Sequence, residues 1–327
     1  MRRLAAFVLI ASTACNQAAV DSTSTGSTTS TPASGSTTEP SSGWVELAPM
    51  TVARSEHPAA VVGDEVVVAG GFIEVGVGRT GVTPTVEAYA PETDTWHALL
   101  DLPEARHHGM SAAVGQRLFF IGGYTPAGDP SASVWELVEG EWVDRGALPT
   151  PVAAGAAVTM GESIFVIGGV PEGNVYRYDI LDDTWAAVPA PDTPREHVAA
   201  VALDGEIWAI AGRWEGEIFD TTEIYNPDAR LWRAGPSLLE ARSGFGAVVI
   251  DGSIFVAGGE VFSPDEALDS VERLEHFRGQ WEVIQSLPHG LHGNPLVAIG
   301  TEIYLPGGST RPAAVANDGV TYRLQLR

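Results

Sequence analysis

Short apolar runs that end in glycine recur along the chain at a nearly constant interval. EVVVAGG and RLFFIGG are two of six such runs. A period in this range exceeds that of helical solenoids, at about 33–34 residues, and is typical of β-propeller blades. Six copies therefore predict six blades. The first glycines are Gly70, Gly122, Gly168, Gly212, Gly258 and Gly307, with spacings of 52, 46, 44, 46 and 49 residues.

Each repeat carries the signals of four short strands. A first strand leads into a tight turn, as in RSEHPAAVVGDE, and the Gly-Asp and Asp-Gly pairs at such turns favour hairpins. The run that ends in glycine forms the second strand. A third strand carries tyrosine and a fourth begins with tryptophan, as in VEAYAPETDTW. Four antiparallel strands per repeat make up a propeller blade.

The aromatic residues of the third and fourth strands are interpreted as packing between blades rather than as ligand contacts, because large rings contribute most of their energy through burial. These residues are Tyr89, Tyr178, Tyr225, Trp96, Trp142, Trp185, Trp232 and Trp281.

The sixth repeat stops at Arg327 without a tryptophan strand. The segment WVELAPM, which starts at Trp44, has the fourth-strand pattern and precedes the first repeat. We therefore predict that this N-terminal strand completes the last blade and closes the ring, so that no sheet edge is left between the first and last blades.

The glycine pairs, the third-strand tyrosine and the fourth-strand tryptophan resemble the repeats of the kelch family. The resemblance covers residues 44–327 and implies an all-β, six-bladed kelch-type β-propeller. Two departures stand out in the pattern. Arg213 stands in place of the second glycine of the fourth repeat, and the third strands of repeats two and five, VWELVEG and VERLEHF, lack tyrosine.

The first 43 residues have the composition of an exported and tethered protein. Residues 1–15, MRRLAAFVLIASTAC, combine two arginines with a short apolar run and are predicted to be an export signal. Cys15 follows small residues and resembles a bacterial lipoprotein processing site, which implies lipidation of its thiol. Ordinary cleavage after Ala14 is the alternative. Residues 16–43 are rich in Ser and Thr and are predicted to be a disordered tether.

These features predict a lipid-anchored protein of the bacterial cell envelope that faces the periplasm or the exterior and contacts the membrane through its anchor only. The chain has 42 acidic and 18 basic residues, a formal net charge of −24. This charge opposes binding to phosphate backbones, so we expect no nucleic-acid partner.

One end of each predicted blade gathers the side chains that carry chemistry. In an antiparallel meander, the start of the first strand and the end of the second lie at the same end of the blade. First-strand starts supply four arginines, and six of the eight histidines occur there too. Loops after the glycine pairs bring further charged side chains to the channel mouth. The candidate ligand-binding residues are Arg54, His57, Glu74, Arg106, His107, His108, Arg195, His197, Arg213, Arg242, Glu260, His289 and His292.

Arginine binds carboxylates bidentately, and neighbouring rings can stack on a sugar or a peptide, so this face suits an anionic ligand, either small or carried on a protein. The alternative is structural: the arginines would pair with nearby acidic residues and order the loops. The histidine spacing fixes no ligand set, so no metal and no cofactor are predicted, although convergent imidazoles can coordinate a metal. The acidic residues of the structural alternative are Glu56, Glu104, Glu196 and Glu240.

The kelch resemblance implies an interaction module, and we predict a monomer that binds an extracellular or periplasmic protein or carbohydrate. The alternative resembles bacterial kelch-type sialic acid epimerases, with an arginine for the sugar carboxylate and Glu196, Glu215 or a histidine as acid or base. Copper radical oxidases related to galactose oxidase need a cysteine crosslinked to tyrosine, and Cys15 is the only cysteine. A structural protein without a small ligand is the third interpretation.

Overall fold

The computed structural model describes residues 43–76, 79–275, 277, 279–312 and 316–326. The predicted export signal, Cys15 and residues 16–42 of the predicted tether lie outside the described residues. Within the described ranges the secondary structure consists of strands and turns. Among these residues, no helix reaches the length and apolarity that a membrane span requires.

The strands are short because tight turns interrupt the chain every few residues. The strands of the described residues are, in chain order, β1 (Trp44–Leu47), β2 (Ala59–Val62), β3 (Glu65–Ala69), β4 (Phe72–Gly76), β5 (Arg79–Val82), β6 (Val86–Ala90), β7 (Thr95–Ala98), β8 (Met110–Val114), β9 (Arg117–Ile121), β10 (Val134–Val138), β11 (Glu141–Asp144), β12 (Ala156–Met160), β13 (Ser163–Ile167), β14 (Val175–Asp179), β15 (Thr184–Val188), β16 (Ala199–Leu203), β17 (Glu206–Ile210), β18 (Arg213–Trp214), β19 (Glu217–Ile218), β20 (Thr222–Asn226), β21 (Leu231–Ala234), β22 (Gly246–Ile250), β23 (Ser253–Ala257), β24 (Glu260–Phe262), β25 (Asp265–Ala267), β26 (Ser270–Glu275), β27 (Trp281–Ser286), β28 (Val297–Ile299), β29 (Glu302–Ser309) and β30 (Asn317–Gln325).

Six four-stranded antiparallel sheets form the blades. Blades 1 to 5 are β2-β3-β6-β7, β8-β9-β10-β11, β12-β13-β14-β15, β16-β17-β20-β21 and β22-β23-β26-β27, and blade 6 is β28-β29-β30-β1. The first strands of neighbouring blades contact each other in cyclic order, which places them around a central channel. The predicted all-β, six-bladed propeller with four antiparallel strands per blade is therefore confirmed.

The core consists of six apolar clusters, one at each junction between neighbouring blades. The second strands supply most of it, since nearly all of their side chains are buried. The fourth strands lie at the outer rim. In blades 1 to 4 most residues of the fourth strand are exposed, and its tryptophan is half-buried. The propeller is thus stabilised mainly by packing between blades.

The fourth-strand tryptophans join each blade to the one before it. In blades 1 to 5 the indole N–H donates to a backbone carbonyl just after the fourth strand of the preceding blade, at 2.6–3.0 Å. The prediction that these residues pack between blades is confirmed. The pairs are Trp96 with Ala48, Trp142 with Leu100, Trp185 with Gly146, Trp232 with Pro189 and Trp281 with Pro236.

The N-terminal strand closes the ring as predicted. β1 pairs antiparallel with β30, with Trp44 opposite Leu324 and Leu47 opposite Thr321. Trp44 packs against the apolar cluster between blades 5 and 6. The last blade is thus assembled from both ends of the propeller, so neither end of the sheet array is left open.

Candidate functional site

Three consecutive residues before the first strand have the same arrangement in all six blades. We call them the anchor, bridge and ring residues. The anchor residues are Arg54, Arg106, Val152, Arg195, Arg242 and Leu291; the bridge residues are Ser55, His107, Ala153, Glu196, Ser243 and His292; the ring residues are Glu56, His108, Ala154, His197, Gly244 and Gly293.

The ring residues form a closed circle of backbone hydrogen bonds at one end of the channel, which we call the mouth. Each N–H donates to the carbonyl oxygen of the ring residue in the preceding blade at 2.7–3.1 Å, and Glu56 closes the circle on Gly293. All six residues have φ between 48° and 62°. This left-handed conformation costs a residue with a Cβ about 1–2 kcal/mol. Four of the six nevertheless carry side chains, and such strain clusters at functional sites.

The bridge residues bring the side chains that follow the glycine pairs to the same mouth. Each forms an isolated antiparallel bridge with the residue directly after the pair of its own blade. The second residue of each glycine pair donates its N–H to the anchor carbonyl of the next blade at 2.7–3.0 Å. A Cβ on Gly70 would lie 2.5 Å from the Arg106 carbonyl oxygen. Glycine at position 70 therefore accommodates the close approach of the next blade.

The bridges correct the sequence alignment of the fourth repeat. Arg213 bridges to Glu196, as Phe72 bridges to Ser55. Arg213 therefore follows the glycine pair and does not replace its second member. The residue that departs from the pattern is Ala211, which takes the left-handed conformation with φ of 50°.

Three anchor arginines are fully buried inside their own blades. In each, Nη1 donates to the carbonyl of the first residue of the glycine pair at 2.8–2.9 Å, and Nη2 donates to a glutamate on the third strand. Burial lowers the pKa of these guanidinium groups, and the facing glutamates act in the opposite direction. The pairs are Arg54 with Glu87, Arg195 with Glu223 and Arg242 with Glu272.

The anchor residue varies together with its third-strand partner. In blade 2, Trp135 stands where the glutamate stands in blade 1, and the Arg106 guanidinium lies 5.0 Å from its ring centroid. In blade 3, Val152 packs in one cluster with a tyrosine at that position, and blade 6 has the same combination with leucine. The arginine and the glutamate therefore form one structural unit.

The expectation that the four arginines line the mouth is not met, because their side chains are at most 3–4% exposed and are directed into the blades. Two of the four glutamates that we expected as structural partners contact these arginines. Arg106 contacts Glu104 at 2.8 Å and Arg242 contacts Glu240 at 3.6 Å. A ligand carboxylate cannot reach these buried guanidinium groups, so the sugar-acid epimerase alternative loses the four anchor arginines as carboxylate-binding residues.

The histidines and acidic residues around the ring form a compact charged cluster. The Glu56 carboxylate lies 3.3 Å from His108 Nε2 and 3.5 Å from His292 Nδ1. Glu260 Oε2 lies 3.2 Å from His292 Nδ1. Arg213 connects the far side of the cluster, because Nη1 contacts Glu260 Oε1 at 2.6 Å and Nη2 contacts His197 Nε2 at 3.1 Å.

Burial and neighbouring charges set the protonation of this cluster. Burial acts to raise the pKa of Glu56, but the facing histidines hold it well below its usual value. Burial lowers the pKa of His108 to about 3 and that of His107 to about 4. Burial also acts to lower the pKa of His292, but contact with Glu56 and the charge of Glu260 raise it. The cluster thus combines carboxylates with neutral imidazoles at His107 and His108, and its negative charge favours the protonated form of His292.

An aromatic stack lies beside the cluster. The His107 ring sits between Phe72, at 4.0 Å, and Tyr124, at 5.1 Å, with an interplanar angle of 26° to each. His107 Nδ1 also lies 2.6 Å from His108 Nδ1. The stack therefore fixes the orientation of the ring histidine through its neighbour.

Three hairpins project from the mouth end between the second and third strands of blades 1, 4 and 5. They are β4–β5, β18–β19 and β24–β25. Val75 and Phe262 on two of them are 54% and 41% exposed. Arg213 lies 5.0 Å from the Phe262 ring centroid, which links this apolar rim to the charged cluster.

A cavity of about 170 Å³ lies in the channel directly inside the ring. Glu56, His108 and His197 line it on one side, and small residues of the first strands, such as Ala156 and Ala247, line its wall. Since a water molecule occupies about 30 Å³, several waters or a hydrated ion fit there.

The remaining predicted residues are not part of this cluster. Glu74 is exposed on hairpin β4–β5. His57 is buried, and its Nε2 lies 3.1 Å from the Pro306 carbonyl oxygen. His289 Nε2 lies 2.9 Å from Asp318 Oδ2. The structure thus brings together His107, His108, His197, Arg213, Glu260 and His292 from the predicted set.

Sequence reasoning assigned no ligand role to Glu56, Phe72 or Tyr124, although all three lie at the mouth. Glu56 was considered only as a partner for an arginine. A signal was available, because Phe72 and Tyr124 directly follow glycine pairs, at the position that Arg213 and Glu260 occupy in other blades.

Comparisons with known proteins agree with this geometry. A family model described as Kelch motif matches residues 53–102, 194–239 and 241–288. The chain is 26% identical to Kelch-like protein terF of Aspergillus terreus over 78% of this chain and 61% of that protein. It is 24% identical to Kelch-like protein 23 of Mus musculus over 78% of this chain and 46% of that protein.

Alpha-scruin of Limulus polyphemus is 24% identical over 68% of this chain and 27% of its own length. The chain therefore matches these curated relatives over no more than about three fifths of their length. The kelch motifs agree with the four-stranded blades described above. The chain is thus a six-bladed β-propeller that contains kelch motifs.

Proposed function

We propose that this protein is an exported, membrane-tethered propeller that binds a protein ligand through its mouth. The kelch relatives are consistent with a protein-binding module. The observation that carries the proposal is the set of three hairpins at the mouth end, two of which present exposed Val75 and Phe262, with Phe262 next to Arg213 of the charged cluster. Exposed apolar side chains next to charged groups are common at sites where proteins dock.

The ligand is a protein surface that presents an apolar side chain flanked by basic residues. The apolar part fits the hairpin rim. The basic part fits a chain with a net charge of −24, which attracts cationic partners over long distances and speeds their encounter.

Replacing Val75 and Phe262 together by serine is expected to reduce partner capture at least about tenfold, since loss of one well-packed contact costs about 1.4 kcal/mol or more. Crosslinking in intact producing cells, followed by mass spectrometry, measures the yield of each partner. The matched control replaces Leu181 and Leu231, two exposed leucines near the turns between third and fourth strands at the opposite end of the blades.

A partner that depends on the hairpins and is released as salt concentration rises supports the proposal, because salt screens exposed charges. A partner that the Leu181 and Leu231 variant loses, but the hairpin variant keeps, would place the binding surface at the opposite end and overturn it.

The tether depends on Cys15, which lies outside the described residues. Replacing Cys15 by serine is expected to move the protein from the membrane fraction to the soluble fraction, because a thioether-linked lipid supplies most of the membrane affinity. Cell fractionation with immunoblotting measures the distribution, and incorporation of labelled fatty acid measures lipidation. Equal membrane retention of both proteins, or the absence of label from the wild type, would argue against the lipid anchor.

A further inference from the structure

The candidate for a further site is a set of three ligand atoms around the ring. Glu56 Oε1 and Glu260 Oε2 lie 3.5 Å and 3.2 Å from His292 Nδ1. The three atoms belong to a group of metal-ligating side chains that lie within 4.8 Å of one another. Ligands about 2.1 Å from a metal ion in tetrahedral or octahedral geometry lie about 3.0–3.4 Å apart. The two separations from His292 Nδ1 are therefore close to those of a coordinated ion, and the third separation is at most 4.8 Å.

The hydrogen bond at Nε2 of His292 orients Nδ1 toward the two carboxylates. Its Nε2 lies 2.5 Å from the Arg311 carbonyl oxygen, which can only accept a hydrogen bond, so Nε2 carries a proton. Nδ1 therefore faces Glu56 and Glu260, where a cation, either a proton on Nδ1 or a metal ion, lies between the ring and the carboxylates. Metal binding displaces that proton. A ring N–H donated to a backbone carbonyl is also how proteins orient metal-ligating histidines.

Each of the two glutamates is held in place by a further part of the structure. Arg213 Nη1 holds Glu260 Oε1 at 2.6 Å, which leaves Oε2 facing His292. Glu56 is held in the ring by its backbone. A Cβ on Gly293 would lie 2.7 Å from Glu56 Oε1 and 2.9 Å from the Glu56 nitrogen. Glycine at this ring position therefore makes room for the carboxylate.

A second group of potential ligands, Glu56, His108 and His197, shares the Glu56 carboxylate. It is less suited to a metal, because His197 Nε2 lies 3.1 Å from Arg213 Nη2. A guanidinium can only donate, so it occupies the His197 lone pair that a metal would need.

We propose that Glu56, Glu260 and His292 bind one divalent transition-metal ion at the ring. Two carboxylates and one imidazole suit Zn²⁺, Mn²⁺ or Fe²⁺ better than Mg²⁺, which prefers oxygen alone, or Cu⁺, which prefers sulfur. Three protein ligands leave coordination positions open for waters or a ligand group, and Glu56 also lines the adjacent cavity. Metal binding at this site does not require the protein-binding function proposed above, although both use the mouth.

Metal binding is tested on the untagged full chain after treatment with chelator and dialysis. Zn²⁺ affinity is measured by competition with a chromophoric chelator, and Mn²⁺ binding by electron paramagnetic resonance. We expect one ion per chain and a rise in Kd of about 100-fold or more in Glu56→Gln and His292→Gln. Even substitution of a residue that only hydrogen-bonds to a metal ligand lowers metal affinity by about 10–100-fold.

Substitutions at two ring glycines test the site without changing a ligand. Gly293→Ala displaces the Glu56 carboxylate and is expected to weaken binding at least about tenfold. Gly244→Ala, at an equivalent ring position with φ of 62°, meets neighbours only at 3.6 Å or more and is expected to keep the wild-type affinity. His97→Gln, in the exposed outer strand of blade 1, serves as a histidine control.

Thermal unfolding of every variant in the presence of chelator separates loss of binding from loss of fold. The Co²⁺-substituted wild type gives an independent readout, because Co²⁺ in a four- or five-coordinate protein site absorbs visible light much more strongly than aqueous Co²⁺ does. The proposal is overturned if the wild type binds no stoichiometric ion. It is also overturned if folded Glu56→Gln and His292→Gln bind as tightly as the wild type, or if only His108→Gln and His197→Gln lose binding.

Discussion

Replacing Arg242 by leucine is expected to lower the free energy of unfolding by about 3–5 kcal/mol, the usual cost of removing one partner of a buried ion pair. Arg242 and Glu272 contact each other at 2.6 Å, and both side chains are fully buried. The guanidinium also donates to the Gly258 and Ser270 carbonyls. The substitution would leave the Glu272 carboxylate buried without its counter-charge and those carbonyls without their donor.

The double substitution of Arg242 by leucine and Glu272 by tyrosine is expected to recover at least about 2 kcal/mol relative to the less stable single variant, because buried ion pairs are often replaced by apolar pairs at little cost. The propeller already contains this combination. Leu291 and Tyr322 occupy the equivalent positions in blade 6 and pack in one cluster. The introduced phenol can hydrogen-bond to Ser270, as Asn174 and Tyr176 do in blade 3.

Urea unfolding followed by tryptophan fluorescence measures all members of this cycle. The control is Arg233→Leu, because Arg233 contacts Glu206 at 2.5 Å on the surface, with about half of its side chain exposed. Exposed pairs contribute about 0–1 kcal/mol, so this variant should be close to the wild type. A loss in Arg242→Leu no larger than in Arg233→Leu, or strictly additive effects in the double variant, would contradict the assignment of one structural unit.

The architecture could be predicted because it depends on features that repeat. The glycine spacing sets the blade count, and the tryptophans mark fourth strands whose indole N–H groups all reach the preceding blade. The closing strand could be identified because the sixth repeat lacks its fourth strand and Trp44 supplies it. The pattern of each repeat is weak alone, but six copies at a nearly constant spacing predict the fold clearly. Burial of apolar side chains at every blade junction favours the same arrangement of strands.

The direction of the arginine side chains could not be predicted from their positions. A residue at the mouth end of a first strand can turn toward the channel or into the blade. The partner that decides this is on a strand roughly thirty residues later in blades 1, 4 and 5, as the Arg54 and Glu87 pair illustrates. The sequence did contain the information, since Glu87 and Glu223 each stand two residues before the third-strand tyrosine. Arginine and glutamate occur together in three repeats and are absent together in two.

The ring and its charged cluster were harder to predict, because they depend on backbone conformation. Left-handed φ values at Glu56, His108 and His197 leave no mark in the residue types, which disfavour that conformation. The fourth glycine pair was misplaced for the same reason, since Ala211 adopts the conformation that glycine has elsewhere. The histidines were correctly placed at the mouth, but their grouping around Glu56 required the closed circle of hydrogen bonds.

Removing β1 is expected to lower the free energy of unfolding by about 5 kcal/mol or more, since burying one large apolar side chain contributes about 1.5–3 kcal/mol and each hydrogen bond about 1 kcal/mol. A variant that begins at Thr51 loses the four-residue pairing with β30 and the buried Met50 side chain. It also loses two links between blades 6 and 1. Ala48 donates to Asp94 Oδ1 at 2.8 Å and accepts from Trp96 Nε1 at 3.0 Å.

A variant that begins at Gly43 is the matched control, because it keeps β1 and removes only residues outside the described ranges. Thermal and urea unfolding compare the two. The shorter variant also exposes the edge of β30, so it should associate at high concentration, which light scattering detects. A peptide with the sequence of residues 43–50 should bind the shorter variant and restore its unfolding temperature, whereas a scrambled peptide should not. Equal stability of the two truncated variants would contradict this prediction. The pairing of β1 with β30 would then contribute nothing to the free energy of unfolding.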